Sequence, residues 1–197
     1  MPRYLHVAVA MIASLMVLGT QVHAATLDVV GGSLIGASDV NVNGTLYNVT
    51  FVDGSCNSLF TGCDTPGIDF AFQTLADAQA AAAALLSQVF IDDTAGSGFD
   101  FDVNPNLTNG CTSSSTCTAF IPFAVDGGNA NLAESNNRDV ELGDGVSSQL
   151  ISRTYNSGTD VFNEGRTYAN FSPVPLPAAV WLFGSALGLL GWMKRRA

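Results

Sequence analysis

The chain has 197 residues and a formal net charge of −10, but the charge is distributed unevenly. All 17 acidic residues lie in residues 25–173 with only three basic ones, Arg138, Arg153 and Arg166, so this segment has a formal charge of −14. Nucleic acid is therefore not an expected partner, because phosphate binding needs clustered cations. The segment also lacks His, Lys, Met and Trp, which excludes Ser-His-Asp, Cys-His and Ser-Lys catalysis, Schiff-base chemistry and His-ligated metals.

Residues 1–24 have the pattern of a secretory signal peptide. Arg3 and His6 give a weakly basic start, residues 7–18 are apolar, and Val22-His23-Ala24 supplies small residues for cleavage. Cleavage is predicted between Ala24 and Ala25. The alternative is an N-terminal membrane anchor, for which the apolar run is short.

The clearest local prediction is a β-hairpin in residues 39–52, following a first strand at 26–30. Asn43-Gly44 supplies the two positive φ angles of a type I′ turn between two alternating runs. Pairing Val42 with Thr45 gathers the apolar residues on one face. These are Val40, Val42, Tyr47, Val49 and Phe51.

Four cysteines in an exported segment predict two disulfides. Three connectivities are possible, and we favour the two local pairs because each closes a short polar loop. These pairs are Cys56 with Cys63 and Cys111 with Cys117. The spacing does not favour zinc, and the segment has no base that could activate a thiolate.

One amphipathic helix is predicted over residues 75–90, beginning with a capping-box-like Thr74-Leu-Ala-Asp77. Its apolar face comprises Leu75, Ala78, Ala82, Leu85, Leu86 and Val89.

Further strands are predicted beyond the helix. Residues 119–125 suggest an edge strand because of Pro122, residues 126–141 suggest an exposed loop, and residues 149–155 and 160–171 suggest a final antiparallel pair. The fold class is therefore α+β, a β-rich domain of antiparallel strands with one helix and two disulfide loops.

An acidic stretch at residues 92–104 raises the question of calcium. Asp100, Asp102 and Asn104 alternate as the ligands of calcium loops do. Pro105 stands where an EF-hand needs Gly, and Cys111 stands where its bidentate Glu belongs, so that motif is excluded. A looser Ca²⁺ site is the alternative to a solvated acidic turn, and no other cofactor is expected.

The last 24 residues form a short motif, an apolar run and a basic end. Residues 178–193 are uncharged and, with the preceding motif, give a marginal membrane span in which Pro177 suits the first helical turn. The basic end favours the cytoplasmic side. Its residues are Lys194, Arg195 and Arg196. The alternative is a buried helix of a soluble domain, which a terminal basic cluster fits poorly.

The motif Val174-Pro175-Leu176-Pro177-Ala178 resembles that of the VPLPA-CTERM proteins, a branch of the PEP-CTERM group. The resemblance covers about 25 residues, and it implies an exosortase, an integral-membrane protease that recognises the motif and removes the span. It also implies an association with exopolysaccharide and biofilm. The chain then divides into a signal peptide (1–24), an ectodomain (25–173) and a sorting signal (174–197), passing the inner membrane on its way to the surface or medium.

Three functions follow for the ectodomain. The favoured one is a non-enzymatic surface or extracellular-matrix protein. The second is a binding module for Ca²⁺ or a glycan. The third is an enzyme with paired carboxylates, such as a glycosidase, although acidic residues are too numerous for a pair to be named from sequence.

Overall fold

The computed structural model describes residues 24–64, 70–92, 100–140, 143–157 and 164–175. Seven strands form one mixed sheet. They are β1 (Thr26–Val30), β2 (Ser33–Val42), β3 (Thr45–Val52), β4 (Thr116–Asp126), β5 (Asn129–Arg138), β6 (Gly145–Ser152) and β7 (Arg166–Pro173). The helices are α1 (Cys56–Leu59), α2 (Thr61–Asp64) and α3 (Leu75–Gln88), and a 3-10 turn spans Pro105–Leu107. For the described residues the β-rich class with one long helix is confirmed, but the prediction of antiparallel strands alone is wrong, because β4 and β7 pair parallel.

The order of the strands across the sheet is β1-β2-β3-β7-β4-β5-β6. The last strand of the described residues, β7, therefore lies at the centre. It pairs antiparallel with β3 along six residue pairs, and parallel with β4 only at residues 118–120. The predicted final antiparallel pair is wrong, because β6 pairs with β5 while β7 inserts between β3 and β4.

The predicted hairpin is confirmed, with its register and its turn. Val42 pairs with Thr45, Val40 pairs with Tyr47, and Asn43 and Gly44 have φ angles of 52° and 87°. The Asn41 carboxamide oxygen also accepts a hydrogen bond from the Gly44 N–H, at 2.8 Å.

Helix α3 covers one face of the sheet and forms the main core with residues of β2, β3, β4, β5 and β7. Its Thr74 cap is confirmed, because the Thr74 hydroxyl accepts from the Asp77 N–H at 3.2 Å. Most of the predicted face is confirmed, since Ala78, Ala82, Leu85 and Val89 are buried. The differences are that Leu75 is 40% exposed and that Ala81 and Ala84 are buried as well. Small alanine side chains let the helix approach the sheet closely, so that they form the contact.

Two predictions for β4 and β5 are wrong. Pro122 lies in an interior strand, which tolerates it because pairing with β7 ends at Phe120 and the β5 register shifts just after Pro122. Residues 129–138 form β5, in which several polar side chains find partners, although the buried Ser135 hydroxyl and the Asn137 carboxamide oxygen have none among the described residues. The buried Asn137, for example, donates from its carboxamide to the Phe101 carbonyl at 2.8 Å.

Among the described ranges, no helix is long and apolar enough to cross a membrane. The predicted C-terminal transmembrane helix lies outside the described residues.

Candidate functional site

The structure joins the cysteines in the two favoured local pairs. Cys56 bonds to Cys63, with Cα atoms 5.7 Å apart, and Cys111 bonds to Cys117, at 5.6 Å. The first bond closes α1 and α2 against the face of the sheet opposite α3. With residues from β4, β5 and β7 they form a small core. Its buried members are Cys56, Phe60, Cys63, Phe70, Phe120, Ala130, Leu132 and Tyr168.

Both predicted processing sites border the sheet. Ala24 and Ala25 precede β1, and Ala25 packs against the main core. At the other end the Val174 N–H donates to the Leu46 carbonyl at 2.9 Å, so the motif begins where β7 ends. Pro175 is described and exposed. Outside the described residues lie Leu176, Pro177, Ala178, Lys194, Arg195 and Arg196.

The predicted calcium residues share one turn. The Asn104 N–H and side-chain amide both donate to the Asp100 carbonyl, at 3.0 and 2.9 Å, and Asp102 lies between them. Phe101 anchors this turn in the main core, so it lies on the α3 side of the sheet. Within the ranges that the structure describes, no group of three or more His, Cys, Asp or Glu side chains is placed to hold a metal ion.

The opposite face of the sheet is apolar at one end and polar at the other. On β5, Ala130 and Leu132 enter the small core, while Glu134, Asn136 and Arg138 follow at alternate positions on the same face. Strands β4, β6 and β7 also change from apolar to polar side chains along this face. On β4 the apolar residue is Phe120 and the polar ones are Thr118 and Thr116. On β6 they are Ile151, and Gln149 and Ser147; on β7 they are Tyr168 and Arg166.

The polar ends of these four strands enclose a groove of about 400 Å³, which we call the polar groove. It is lined by Thr116, Thr118, Glu134, Asn136, Arg138, Gln149, Gly165 and Arg166.

A hydrogen-bond network crosses the floor of the polar groove from β4 to β6. The Thr118 hydroxyl donates to the Asn136 carboxamide oxygen at 3.0 Å, and the Asn136 amide donates to the Ser147 hydroxyl, also at 3.0 Å. Ser147 and Gln149 then donate to the two oxygens of the Glu134 carboxylate. Such a network holds planar polar side chains in fixed positions.

Arg166 lies beside Thr118 at the β7 edge of this floor, and Arg138 lies two residues beyond Asn136, at the end of β5. Arg166 donates to the Tyr155 hydroxyl, and its guanidinium carbon lies 5.6 Å from the centre of the Tyr155 ring and 5.9 Å from that of Phe120. Arg138 is exposed, and its aliphatic stem packs over Gly143, where a Cβ atom would lie 2.7 Å from the Arg138 Cδ.

None of these residues is predicted as a site from the sequence. Glu134, Asn136 and Arg138 fall in the segment predicted as a loop, because a strand rich in asparagine and serine resembles one. The sequence signal that could have revealed this site is the two-residue period of a β-strand. One face of such a strand carries Ala130, Leu132, Glu134, Asn136 and Arg138, and arginine is rare in residues 25–173.

No family model, curated protein or solved structure matches this chain. The arrangement of its own residues therefore carries the functional argument.

Proposed function

We propose that this protein is an exported, non-enzymatic component of a bacterial surface or extracellular matrix. A signal peptide directs it across the inner membrane, and an exosortase-like protease then processes its C-terminus. The observation that supports this is where the sheet begins and ends. Its first strand starts at Thr26, just after the proposed cleavage at Ala24, and its last strand ends at Pro173, one residue before the motif.

Intact mass spectrometry of the exported protein tests both processing events. The expected species begins at Ala25 and lacks the residues beyond the motif. Replacing Pro175 and Pro177 together by alanine should leave the tail attached, whereas Ser185→Ala, within the apolar run, should leave processing unchanged. A mature wild-type species that still ends in Lys194-Arg195-Arg196-Ala197 would mean a permanent anchor instead.

A second candidate function is a binding module for a glycan, and the polar groove favours it. Its fixed amide, carboxylate and hydroxyl groups are the kind that position a polar ligand in a groove. Binding of the protein to an oligosaccharide array tests this candidate.

Calcium binding is tested separately. A ligand that binds only the folded state stabilises it by RT ln(1 + L/Kd), where L is the free ligand concentration, and so raises the melting temperature. Excess Ca²⁺ should raise that of the wild type and leave an Asp100→Asn, Asp102→Asn variant unchanged. No shift in the wild type would refute the calcium alternative.

A further inference from the structure

The few cations of the ectodomain are concentrated at the polar groove. Of its three arginines, two line this groove, in a segment whose formal charge is −14. The third has a different role: the Arg153 guanidinium donates to the Cys63 carbonyl and so fastens α2 to the sheet. The positive charge that a ligand can meet is therefore centred on one groove.

Neither groove guanidinium is bound to a carboxylate among the described residues. Arg166 donates to the neutral Tyr155 hydroxyl and lies near two aromatic rings. The Arg138 stem packs on Gly143. Glu134, the carboxylate lining the groove, accepts from the neutral side chains of Ser147 and Gln149 instead. Since a guanidinium presents five donors in a planar fork suited to a carboxylate, the two arginines retain capacity for an anionic group.

The distance between the two arginines indicates the size of the ligand. Thr118 pairs with both Arg166 and Asn136, and Arg138 lies two residues beyond Asn136. Two strand spacings and two residue rises therefore separate the arginine Cα atoms, which gives about 12 Å. The two side chains can thus contact groups at the two ends of a disaccharide, with the polar floor between them.

Glu134 limits the charge density of that ligand. Glu134 lies on β5, two residues from Asn136 on the side away from Arg138. In a domain that is itself strongly anionic, its carboxylate would repel a compact polyanion in the groove. A chain that carries one carboxylate per sugar, separated by hydroxyls, places negative charge at the arginines and neutral groups over the floor. The Thr116 hydroxyl, on the strand between those of the two arginines and paired with Arg138, is then positioned to bind those hydroxyls.

We propose that the polar groove binds an acidic saccharide, whose carboxylates pair with Arg138 and Arg166. This inference depends on the glycan-binding candidate function and adds to it the chemical class of the ligand. It is independent of the processing of the C-terminus.

Calorimetry on the full-length protein in mild detergent tests the proposal. The probes are short fragments of polygalacturonate, alginate and hyaluronan, each paired with its carboxyl-reduced form. At least one acidic fragment should bind, and its reduced form should bind about 10-fold more weakly or not at all, as expected for losing one charged hydrogen-bonded pair.

Variants locate the site. Arg138→Gln should weaken binding about 10-fold, and Arg166→Gln should do the same. Gln73→Glu is the matched control, since it makes the same change in net charge at an exposed position beside the Val42–Tyr47 end of the hairpin. It should bind as the wild type does. Because Arg166 also contacts Phe120 and Tyr155, the melting temperature of the Arg166→Gln variant is measured as well. Arg138 is exposed, so a loss of binding in Arg138→Gln is not explained by a loss of folding.

Three outcomes would contradict the proposal. Equal binding of acidic and reduced fragments, unaffected by Arg138→Gln, would leave a neutral-glycan module and refute the acidic ligand. Acidic binding that Arg138→Gln and Gln73→Glu weaken equally would place the site elsewhere. Failure of every probe to bind would refute both the acidic ligand and the glycan-binding candidate, and would leave the processing proposal intact.

Discussion

Alkaline pH should destabilise this domain largely through one buried phenol. Residues 25–173 contain no lysine, and all four cysteines are in disulfides, so tyrosine is the residue type there whose ordinary side-chain pKa lies between 8 and 11. Burial raises the pKa of Tyr168 to about 12, from an ordinary value of 10.0. The Tyr168 ring lies within the small core, 5.4 Å from the Phe120 ring and 5.7 Å from the Phe60 ring.

The sign and size of the effect follow from linkage. The unfolded chain releases the Tyr168 proton near pH 10, while the folded domain holds it until about pH 12. Over that interval the folded state binds more protons, so the free energy of unfolding falls as pH rises. For a shift of this size the loss is about 1.4 kcal/mol at pH 11 relative to pH 8. Tyr168→Phe removes the ionising group and with it this loss.

Urea unfolding followed by far-ultraviolet circular dichroism, at pH 8 and at pH 11, provides the measurement. The wild type should lose about 1.4 kcal/mol more between the two pH values than Tyr168→Phe. Tyr47→Phe, at a half-buried position on β3, is the control and should retain the wild-type loss. If Tyr168→Phe loses as much stability as the wild type, the burial of the phenol does not govern the alkaline response.

Three further predictions concern strand β7, the buried carboxyl of Asp53 and the Cys111–Cys117 disulfide. A chain ending at Pro175 should unfold cooperatively on heating, whereas one ending at Gly165 lacks the central strand and should show no cooperative transition. Burial raises the pKa of Asp53, so as pH falls the folded state takes up this proton before the unfolded state does, and the free energy of unfolding increases. The Asp53→Asn variant should therefore have a higher melting temperature than the wild type at pH 7, and its melting temperature should depend less on pH. Replacing Cys111 and Cys117 by serine should lower the free energy of unfolding by about 2–3 kcal/mol in urea titrations.

The parts of the fold that could be predicted are those fixed by local chemistry. Asn43-Gly44 determines its own turn, and with it the pairing of Val42 with Thr45 and the face on which Phe51 lies. The two disulfides join cysteines six and seven residues apart, so a local pairing required little knowledge of the rest of the chain.

The parts that could not be predicted depend on distant partners. Asn137 is buried because Phe101, 36 residues away, offers a carbonyl to its side-chain amide. Without that partner, an asparagine-rich segment favours a loop. The polar groove was missed for the same reason, since Arg138 and Arg166 approach one another only when β7 pairs beside β4.

The central position of β7 joins these observations. In the hydrogen-bonded order of the sheet, β1-β2-β3 and β4-β5-β6 are two three-stranded units, and β7 links them. It also carries Arg166 to the polar groove, so the groove is complete only once the last strand is in place. Because the Val174 N–H remains bonded to the Leu46 carbonyl, the proposed sorting motif leaves the sheet with its first residue still attached. A protease that needs this motif extended must therefore act before β7 pairs fully, or must first open its end. If both proposals hold, folding of the polar groove and the proposed release from the membrane are competing or ordered events, because both depend on the same eight-residue strand.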